Sequence, residues 1–366
     1  MKALIMAAGF GTRLQPLTLA VPKPMIPIVN KPVMQYNIEL LKKSGIKEMC
    51  ANIHYFPEQI ENYFGNGSHM GIKIRYSFEE ELLGTAGGVK RMARDLMDIK
   101  ETFVVVSSDA LTDINIHKLV SHHKKTKALA TVALAPVEDP SHFGVVILDK
   151  NDKILQFQEK PSKEEALSNL VNAGIYVFEP EILDMIPDGF HDFGKELLPK
   201  IVGEKGPIFG YKMIEYWSDT GSIGQLKKTN SDILRGHVRV HIDGKKLTSS
   251  TWINKDSNIN PSAKFEGGSV YIGHGSVIGK NVEIYGDVVI GDRTIVKDNT
   301  IIVDSLVWSD SVIGEGSKVK HSVLGNWCRL EERVQTAEGC VIGNRCKISA
   351  GKKLNPNTRL DPDKTL

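Results

Sequence analysis

The residues with the clearest chemical potential lie near the start of the chain. Residues 7–14 read Ala-Ala-Gly-Phe-Gly-Thr-Arg-Leu and follow a short apolar run. Gly9 and Gly11 lack a Cβ, so backbone N–H groups in this turn can approach phosphate oxygens closely. Arg13 and Lys23 add a forked guanidinium and a point charge, both of which suit oxyanions. The two cations favour an anion-binding site over a turn with only a structural role.

Two common nucleotide-binding patterns are absent from this turn. Leu14 occupies the place of the third glycine of the dinucleotide fingerprint, and no Gly-Lys-Ser/Thr sequence ends the turn as in a Walker A loop. The sequence therefore predicts a different kind of anion site.

The elements that must position these residues alternate between strands and helices. Predicted strands are 4–7, 48–53, 72–78, 102–107 and 129–134, and predicted helices are 32–44, 57–64, 85–96 and 115–125. This alternation indicates an α/β fold with a Rossmann-like, mostly parallel mixed sheet and helices on both faces. Ligands of such sheets bind at the carboxyl ends of the strands, and the glycine turn follows the first strand.

The same domain continues with a hairpin and several further elements. We predict hairpin strands 145–148 and 154–158, strands 172–178 and 208–213, and helices 179–186, 195–202 and 221–234. A first domain is therefore expected to cover residues 1–235.

Apolar residues recur every six positions in the last third of the chain. The repeat runs from Ile253 to Leu360 and is interrupted by Thr336, and its phase shifts fall after every third hexad or a multiple of three. Three hexads make one triangular coil of a parallel β-helix, so about six coils are expected. We predict a second domain at 236–366, a β-helix of hexapeptide repeats over about 253–360.

Composition limits the class of partner and location. Forty-six Lys and Arg residues against 44 Asp and Glu residues give a net charge of +2, unlike the strongly basic surface of a nucleic-acid binder. No apolar run approaches the ~20 residues that span a bilayer, so we expect a cytoplasmic protein without a membrane partner. The four cysteines form no CxxC pair and are expected to be small buried hydrophobes.

Several motifs together resemble one enzyme family. Gly9-x-Gly11-Thr-Arg-Leu-x-Pro-Leu-Thr and Pro22-Lys-Pro-Met resemble the signature of the sugar-1-phosphate nucleotidyltransferases, also called nucleoside-diphosphate-sugar pyrophosphorylases. Later segments that match are Leu83-Gly-Thr-Ala-Gly87, Ser108-Asp109, Phe143-Gly-Val145, Glu159-Lys-Pro161, Asn172-Ala-Gly174 and Trp217-Ser-Asp-Thr-Gly221. The resemblance covers nearly the whole chain, including a left-handed β-helix tail. It implies transfer of a nucleotidyl group from a nucleoside triphosphate to a sugar 1-phosphate, with release of pyrophosphate and with Mg²⁺ as cofactor.

The resemblance also implies a role for each matching residue. Arg13 and Lys23 are expected to be catalytic, by neutralising the phosphates as charge moves to the leaving pyrophosphate. The nucleotide is expected to contact Ala8, Gly9, Gly11, Thr12, Arg13, Gly84, Thr85 and Asp109. The sugar phosphate is expected to contact Gly144, Glu159, Lys160, Asn172 and Gly174. No general base is expected, because the attacking phosphate is already ionised.

Asp109 and Asp219 are the metal ligands that the resemblance implies. Each has a structural alternative, since an aspartate after a strand is often a turn residue or a helix cap. Many relatives have Gly where this chain has Ser108, whose side chain is expected to crowd or contact the nucleotide. The acidic run 79–81 and the basic run 122–125 are expected to be solvated.

The resemblance leaves the substrate pair open. Residues 139–146, 109–113 and 192–199 look most like mannose-1-phosphate guanylyltransferases, which use GTP, while UTP- and dTTP-dependent glucose-1-phosphate enzymes share most motifs. Two other classes of function are alternatives for this chain. One is a non-catalytic regulatory subunit that binds nucleotide sugars, and the other is a bifunctional enzyme with acyl transfer at His274 or His321. The family's β-helix domains commonly mediate subunit contacts, so a homo-oligomer is expected.

Overall fold

The computed structural model describes all residues from Met1 to Leu366. The chain divides into two compact units. The first unit contains Met1–Gly9 and Met34–Ser218, and the second contains Phe10–Val33 and Asp219–Leu366. None of the helices has the length and apolar character needed to cross a membrane.

The first unit is built on a nine-stranded mixed sheet. Its strands are β1 (Ala3–Met6), β4 (Glu48–Ile53), β5 (Lys73–Phe78), β6 (Phe103–Ser107), β8 (Ala130–Pro136), β9 (Gly144–Leu148), β10 (Ile154–Glu159), β11 (Leu170–Phe178) and β12 (Ile208–Lys212). The order is β10-β9-β11-β6-β1-β4-β5, and β8 lies between β11 and β12. Strands β5, β4, β1 and β6 are parallel neighbours, whereas β11 runs antiparallel to β6, β8 and β9.

Helices flank this sheet where the sequence predicts them. They are α1 (Val33–Lys43), α2 (Pro57–Phe64), α3 (Gly84–Arg91), α4 (Ile116–Thr126) and α5 (Leu198–Gly203). A π-helical turn over Met92–Leu96 extends α3, another over Phe193–Leu197 precedes α5, and a 3-10 helix covers Pro180–Met185. Two short strands, β7 (Ala110–Thr112) and β13 (Trp217–Asp219), pair with each other and were not predicted. The predicted Rossmann-like fold class is confirmed.

The second unit contains a triangular parallel β-helix. Its first face holds β15 (Thr251–Ile253), β18 (Val270–Ile272), β21 (Val288–Ile290), β24 (Leu306–Val307), β27 (Val323–Leu324), β29 (Val341–Ile342) and β31 (Arg359–Leu360), with β14 (Lys245–Lys246) antiparallel at its start. Its second face holds β16 (Asn258–Ile259), β19 (Val277–Ile278), β22 (Ile295–Val296), β25 (Val312–Ile313), β28 (Arg329–Leu330) and β30 (Lys347–Ile348). Its third face holds β17 (Lys264–Glu266), β20 (Glu283–Tyr285), β23 (Ile301–Val303) and β26 (Lys318–Lys320). These sheets confirm the predicted left-handed parallel β-helix.

The predicted hexad residues form the interior of this β-helix. Ile272, Ile290 and Val307 on the first face are fully buried, as are their counterparts on the other faces. Thr336, which breaks the apolar repeat, is also buried and shares a hydrogen bond of 2.7 Å with Ser322 Oγ. A polar residue fits there because its hydroxyl group has a partner. All four cysteines are buried and unpaired, as the sequence predicts.

A small hairpin joins the N-terminal segment of the second unit to the β-helix. Strands β2 (Pro27–Ile28) and β3 (Lys31–Pro32) flank a two-residue turn in which Val29 and Asn30 have φ values of 45° and 62°. The Asn30 amide donates to Asp292 Oδ1 at 2.8 Å, and its oxygen accepts a hydrogen bond from Ser309 Oγ at 3.1 Å. Near the end of the β-helix, Arg359 donates to the carbonyl oxygen of Gln15. The segment is therefore attached to the β-helix at two places.

Helix α6 (Ile223–Leu234) contacts both the hairpin and the β-helix. Its Asn230 accepts a hydrogen bond of 2.6 Å from the backbone N–H of Val29. At its C-terminal end, Ser231 Oγ and Arg235 Nε donate to Asp287 Oδ2. Both segments that lead into the candidate site, residues 10–26 and 219–222, thus continue into elements anchored on the β-helix.

Candidate active site

The glycine turn around Gly11 is fixed by contacts with residues a few positions further along the chain. Gly11 has φ 66° and precedes a short 3-10 helix, Thr12–Leu14. A Cβ on Gly11 would lie 2.9 Å from Cβ of Lys23, and the Thr18 hydroxyl donates to the Gly11 carbonyl at 2.9 Å. Only glycine fits here, because the left-handed backbone and the close approach of Lys23 both exclude a side chain. The turn consequently places Arg13 and Lys23 in the same region.

Asp219 bridges the two predicted catalytic cations. Its Oδ2 lies 3.2 Å from Arg13 Nη2, and its Oδ1 lies 3.4 Å from Lys23 Nζ. The Arg13 side chain is 57% exposed, whereas Lys23 and Asp219 are 9% and 16% exposed. The Arg13 guanidinium is thus the most solvent-accessible charge of the three. The cluster is therefore suited to binding an anion.

Gly221 makes this bridge sterically possible. A Cβ there would lie 2.6 Å from Arg13 Nη2 and 2.8 Å from Asp219 Oδ2. The next residue, Ser222, caps α6 by accepting a hydrogen bond from the N–H of Gln225 at 3.2 Å. The cap of the helix is thus Ser222, and the alternative role of Asp219 as an N-cap is not observed.

Asp109 lies in the first unit, between β6 and β7, and its side chain is partly exposed. The Ser107 hydroxyl donates to Asp109 Oδ1, which fixes the orientation of the carboxylate. Ser108 is 2% exposed, and its N–H donates to the Met6 carbonyl at 3.0 Å. The turn role considered for aspartates here belongs to Asp113, which accepts a hydrogen bond from the Tyr216 N–H at 2.9 Å.

A buried polar relay, absent from the sequence-based predictions, connects the end of β1 to the start of α3. Asn52 accepts a hydrogen bond from the Ala7 N–H at 2.7 Å and donates to Glu79 Oε1 at 2.7 Å. Glu79 Oε2 accepts from the Leu83 N–H at 3.0 Å. Glu79 is 1% exposed, so the expectation that the acidic run is solvated is wrong for this residue. No local sequence signal marks this burial, because it depends on Asn52, 27 residues away in the chain.

The predicted nucleotide-binding residues Gly84 and Thr85 begin α3 beneath a loop of the same unit. The backbone N–H groups of Ala86 and Gly87 donate to the His191 carbonyl at 2.9 and 3.1 Å. The Thr85 hydroxyl donates to Asp192 Oδ2 at 3.0 Å and accepts from the Phe193 N–H at 2.8 Å. These contacts fix the start of the helix.

Two of the predicted sugar-phosphate residues lie at an irregularity of β11. The pairing register of β11 with β8 shifts between Asn172 and Tyr176, as in a β-bulge. Gly174 has φ 73°, and a Cβ there would lie 3.0 Å from Cβ of Ser107. Asn172 accepts from the Gly174 N–H at 3.0 Å and donates to the Tyr176 hydroxyl oxygen at 2.9 Å. The irregularity therefore has a defined shape.

The remaining predicted sugar-phosphate residues meet at the edge of the β9–β10 pair. Gly144 is paired with Glu159 across the antiparallel strands, and a Cβ on Gly144 would lie 3.6 Å from Glu159 Oε2. Lys160 has φ 45°, and its Nζ lies 3.6 Å from Glu159 Oε1. Both side chains are well exposed, which leaves them accessible to a ligand.

The structure thus gathers the predicted residues into several local groups. Arg13, Lys23 and Asp219 form one group, and Gly144, Glu159 and Lys160 form another. Ala8 is 8% exposed, Thr12 is exposed, and a Cβ on Gly9 would meet nothing within 4 Å. In the β-helix, His274 Nδ1 lies 2.9 Å from the Lys255 carbonyl, and His321 lies 3.6 Å from Asp304, so each histidine has a local partner.

The donor atoms present decide whether the implied divalent metal could be held here. No group of three or more His, Cys, Asp or Glu side chains gathers to hold a metal ion by itself. Asp109 and Asp219 are partly exposed carboxylates, the oxygen donors that hard cations prefer. Mg²⁺ commonly takes only one or two protein carboxylates and completes its shell with water and substrate phosphates, so each of these side chains is chemically suited to it.

Comparison with known proteins places the chain in a family. The Nucleotidyl transferase family matches residues 2–236, and the GMPPB C-terminal domain matches residues 266–366. The chain therefore belongs to the nucleotidyl transferase family, which confirms the resemblance found in the sequence. Its β-helix carries the second of these two similarities.

Curated relatives are similar over nearly the whole chain. A UTP–glucose-1-phosphate uridylyltransferase of Synechocystis is 37% identical and covers 97% of this chain and 90% of its own length. A mannose-1-phosphate guanyltransferase of Gibberella zeae is 35% identical, with coverage of 97% and 96%. Among solved structures, HddC from Yersinia pseudotuberculosis complexed with GMP-PN matches 63% of this chain and 99% of its own, with a TM-score of 0.55 and 21% identity. That structural match supports the fold alone.

Proposed function

We propose that this protein transfers a guanylyl group from GTP to mannose 1-phosphate, giving GDP-mannose and pyrophosphate. Membership of the nucleotidyl transferase family gives the reaction class. The observation that carries the proposal in the site is the bridge from Arg13 through Asp219 to Lys23 beside a glycine turn. This arrangement supplies fixed positive charge where a triphosphate must be held and a pyrophosphate must leave.

The proposed roles follow the chemistry of each side chain. Arg13 and the backbone of residues 9–12 hold the triphosphate and stabilise the leaving pyrophosphate, since a guanidinium binds oxyanions in a forked geometry. Lys23 neutralises the α-phosphate or the attacking phosphate. On the sugar side, Lys160 binds the phosphate and Glu159 accepts hydrogen bonds from sugar hydroxyls. No residue acts as a general base, because the sugar phosphate attacks as an anion.

Asp109 and Asp219 are the proposed ligands of Mg²⁺. When bound, the ion would neutralise phosphate charge and polarise the phosphoryl oxygens. The Ser107 hydroxyl would orient Asp109 through the bond it donates to Oδ1. The contacts of Arg13 and Lys23 with Asp219 would hold that carboxylate in place.

UTP or dTTP with glucose 1-phosphate is the second candidate pair. The Synechocystis relative, named a uridylyltransferase, is 37% identical, while the Gibberella relative, named for mannose and guanylyl transfer, is 35% identical. These identities do not separate the two pairs. The motifs at residues 139–146 and 192–199 favour the guanylyl assignment.

We also propose how the protein is organised and where in the cell it acts. The boundary between the catalytic domain and the β-helix domain falls near residue 235. The protein is cytoplasmic, and subunits of a homo-oligomer contact each other through the β-helix. Nucleotide and sugar phosphate are its partners, and neither nucleic acid nor membrane takes part.

A substrate panel tests the proposed function. The purified chain is incubated with Mg²⁺, each of GTP, UTP, dTTP and ATP, and each 1-phosphate of mannose, glucose and N-acetylglucosamine, and pyrophosphate release is measured. GTP with mannose 1-phosphate should give the highest kcat/KM, and Asp219→Asn should abolish most of that signal. A higher value for UTP or dTTP with glucose 1-phosphate would establish the second candidate, and no turnover with any pair would refute catalysis.

A further inference from the structure

The third face of the β-helix carries an ordered set of outward side chains. Strands β17, β20, β23 and β26 stack in register, so Lys264, Glu283, Ile301 and Lys318 form one column. Glu266, Tyr285, Val303 and Lys320 form the second column. The residues between the columns, such as Ile302, point inward and are buried. Both columns therefore face solvent, because side chains alternate along a strand.

Charge on this face changes sign along the stack. The two rows before β23 hold Glu266 and Glu283 with one lysine, and the row after β23 holds Lys318 and Lys320. Glu283 accepts a hydrogen bond from the Tyr285 hydroxyl at 3.0 Å. The ammonium groups of Lys318 and Lys320 have neither an ion pair nor a hydrogen bond within the chain. The β23 row, Ile301 and Val303, is an uncharged centre between the two regions.

We infer that this face binds the same face of a second copy across a two-fold axis that runs along β23. This inference rests on the homo-oligomer in the proposed function and identifies the surface that forms it. A two-fold contact brings each surface against itself, so charge order decides which orientation is favourable. The axis along β23 reverses the order of rows, which places Lys318 opposite Glu283 of the second copy and Ile301 and Val303 opposite their own counterparts.

The alternative two-fold orientation is unfavourable. An axis parallel to the β-helix would preserve the row order and set the Lys318 and Lys320 row against itself. Like charges brought together at an interface cost free energy and select against that arrangement. The sequence of charges therefore specifies one orientation.

The other two faces lack this self-complementarity. On the first face, the outward residues Tyr271, Val289 and Leu306 are already buried within the second unit. On the second face, the outward column runs through Val277 and Ile295, 38% and 41% exposed, to Arg329 and Lys347, and contains no acidic residue. Only the third face combines an uncharged centre with opposite charges on either side.

The size of the face predicts a weak, salt-sensitive dimer. Four strands at about 4.8 Å and three residues at about 3.3 Å give a flat area roughly 19 Å by 10 Å. This is well below the roughly 800 Å² per partner of a standard stable interface. Association should therefore depend on protein concentration and weaken with added salt, which screens the Lys318–Glu283 pairs.

Sedimentation velocity of the full chain over a range of concentrations tests the inference. Lys318→Glu should raise the dimer dissociation constant by roughly tenfold or more, because like charges then face each other. Glu283→Lys should do the same. The combined Lys318→Glu and Glu283→Lys variant should restore dimer formation, because the swapped charges again oppose. Unchanged or stronger association of Lys318→Glu, or failure of the double variant to restore it, would overturn the inference.

Cross-linking tests the position of the axis independently. All four native thiols are buried, so Val303→Cys introduces the accessible thiol. Under mild oxidation it should form a disulfide-linked dimer, and Ile295→Cys on the second face should not. A dimer that forms only with Ile295→Cys would move the interface to the second face. Neither measurement uses turnover, so failure of the dimer and failure of the proposed reaction are distinguished.

Discussion

The Asn30 amide and the Asp292 carboxylate, joined at 2.8 Å, attach the segment that carries Arg13 and Lys23 to the β-helix. Ser309 donates to the other end of the same amide. The sequence predicts the β-helix as a separate domain at 236–366. These bonds, and those of Ser231 and Arg235 to Asp287, instead make the β-helix a support for the second-unit part of the candidate site.

Replacing Asn30 should therefore destabilise the protein. Asn30→Gly keeps the left-handed backbone but removes both hydrogen bonds, and we expect a loss of about 1–3 kcal/mol in the free energy of unfolding. Asn30→Asp should lose more, since two carboxylates would face each other. Urea unfolding measures both, with the exposed Asn258→Gly as control for a glycine substitution on this domain. Equal effects of Asn30→Gly and Asn258→Gly would contradict the anchoring role.

Removing the carboxylate of Asp219 should cost activity more than stability. We expect Asp219→Ala, and separately Asp109→Ala, to lower kcat by a factor of order 10² or more, as when one charge-stabilising group is lost. Asp363→Ala removes a carboxylate on the surface of the last coil and should leave the rate unchanged. Pyrophosphate release under saturating substrates measures all three variants, and a near-normal rate would remove that aspartate from the metal site.

Replacing Glu79 should destabilise the protein, because the donor and the acceptor of each hydrogen bond in its buried relay are fixed. Asn52 cannot rotate its amide, since its oxygen accepts from the Ala7 N–H. In Glu79→Gln the new NH₂ group must therefore face either the Asn52 NH₂ or the Leu83 N–H, and the donor that it faces loses its acceptor. We expect a loss of about 1–3 kcal/mol in the free energy of unfolding and a raised KM for the nucleotide. Glu80→Gln, on the exposed neighbour, is the matched control and should change neither.

Acid should destabilise the first unit through His123. This ring is fully buried, with Nδ1 2.9 Å from Thr131 Oγ1 and Nε2 3.1 Å from Glu179 Oε1. Burial lowers its pKa from the ordinary 6.5, and the charges of Lys124 and His122 add to this, while Glu179 opposes it. Below about pH 6.5 the unfolded chain binds a proton that the folded chain does not, so stability falls as the pH falls.

Urea unfolding between pH 8 and pH 5 checks this dependence. His123→Gln should show a smaller loss of stability over this range than the wild type, while His69→Gln, at an exposed position, should follow the wild type. His122, whose pKa burial also lowers, should retain part of the dependence. An unchanged slope in His123→Gln would show that another group titrates instead.

The sequence predicted most regular elements because their hydrophobic periods are strong. Strand β4 and helix α2 have the predicted bounds, and the hexad residues fill the β-helix interior. The hairpin β2–β3 was missed because each strand has two residues, too few for a period, and because its turn places Val29 in a conformation unusual for a β-branched side chain.

Two residues that were expected to be solvated are buried because they pair with residues distant in the sequence. Glu79 and His123 carry polar side chains in charged runs, and their burial depends on the partners Asn52, Thr131 and Glu179, which are distant in sequence. A charged run predicts a solvated face only when no such partner is available. The motif residues, by contrast, could be predicted from the sequence because their types and spacing are themselves the signal, and their roles stay predictions.

The two attachment points of the N-terminal segment lie a defined number of rows apart on the β-helix. Asn30 binds at the row of Asp292 and Gln15 at Arg359 on the last row, four rows further, or about 19 Å at 4.8 Å per row. Removing one coil would preserve every interior contact type yet move Arg359 by about 4.8 Å, beyond hydrogen-bond reach. A β-helix by itself can have any number of coils. In this protein, the N-terminal segment requires four rows between Asp292 and Arg359 for both hydrogen bonds to form.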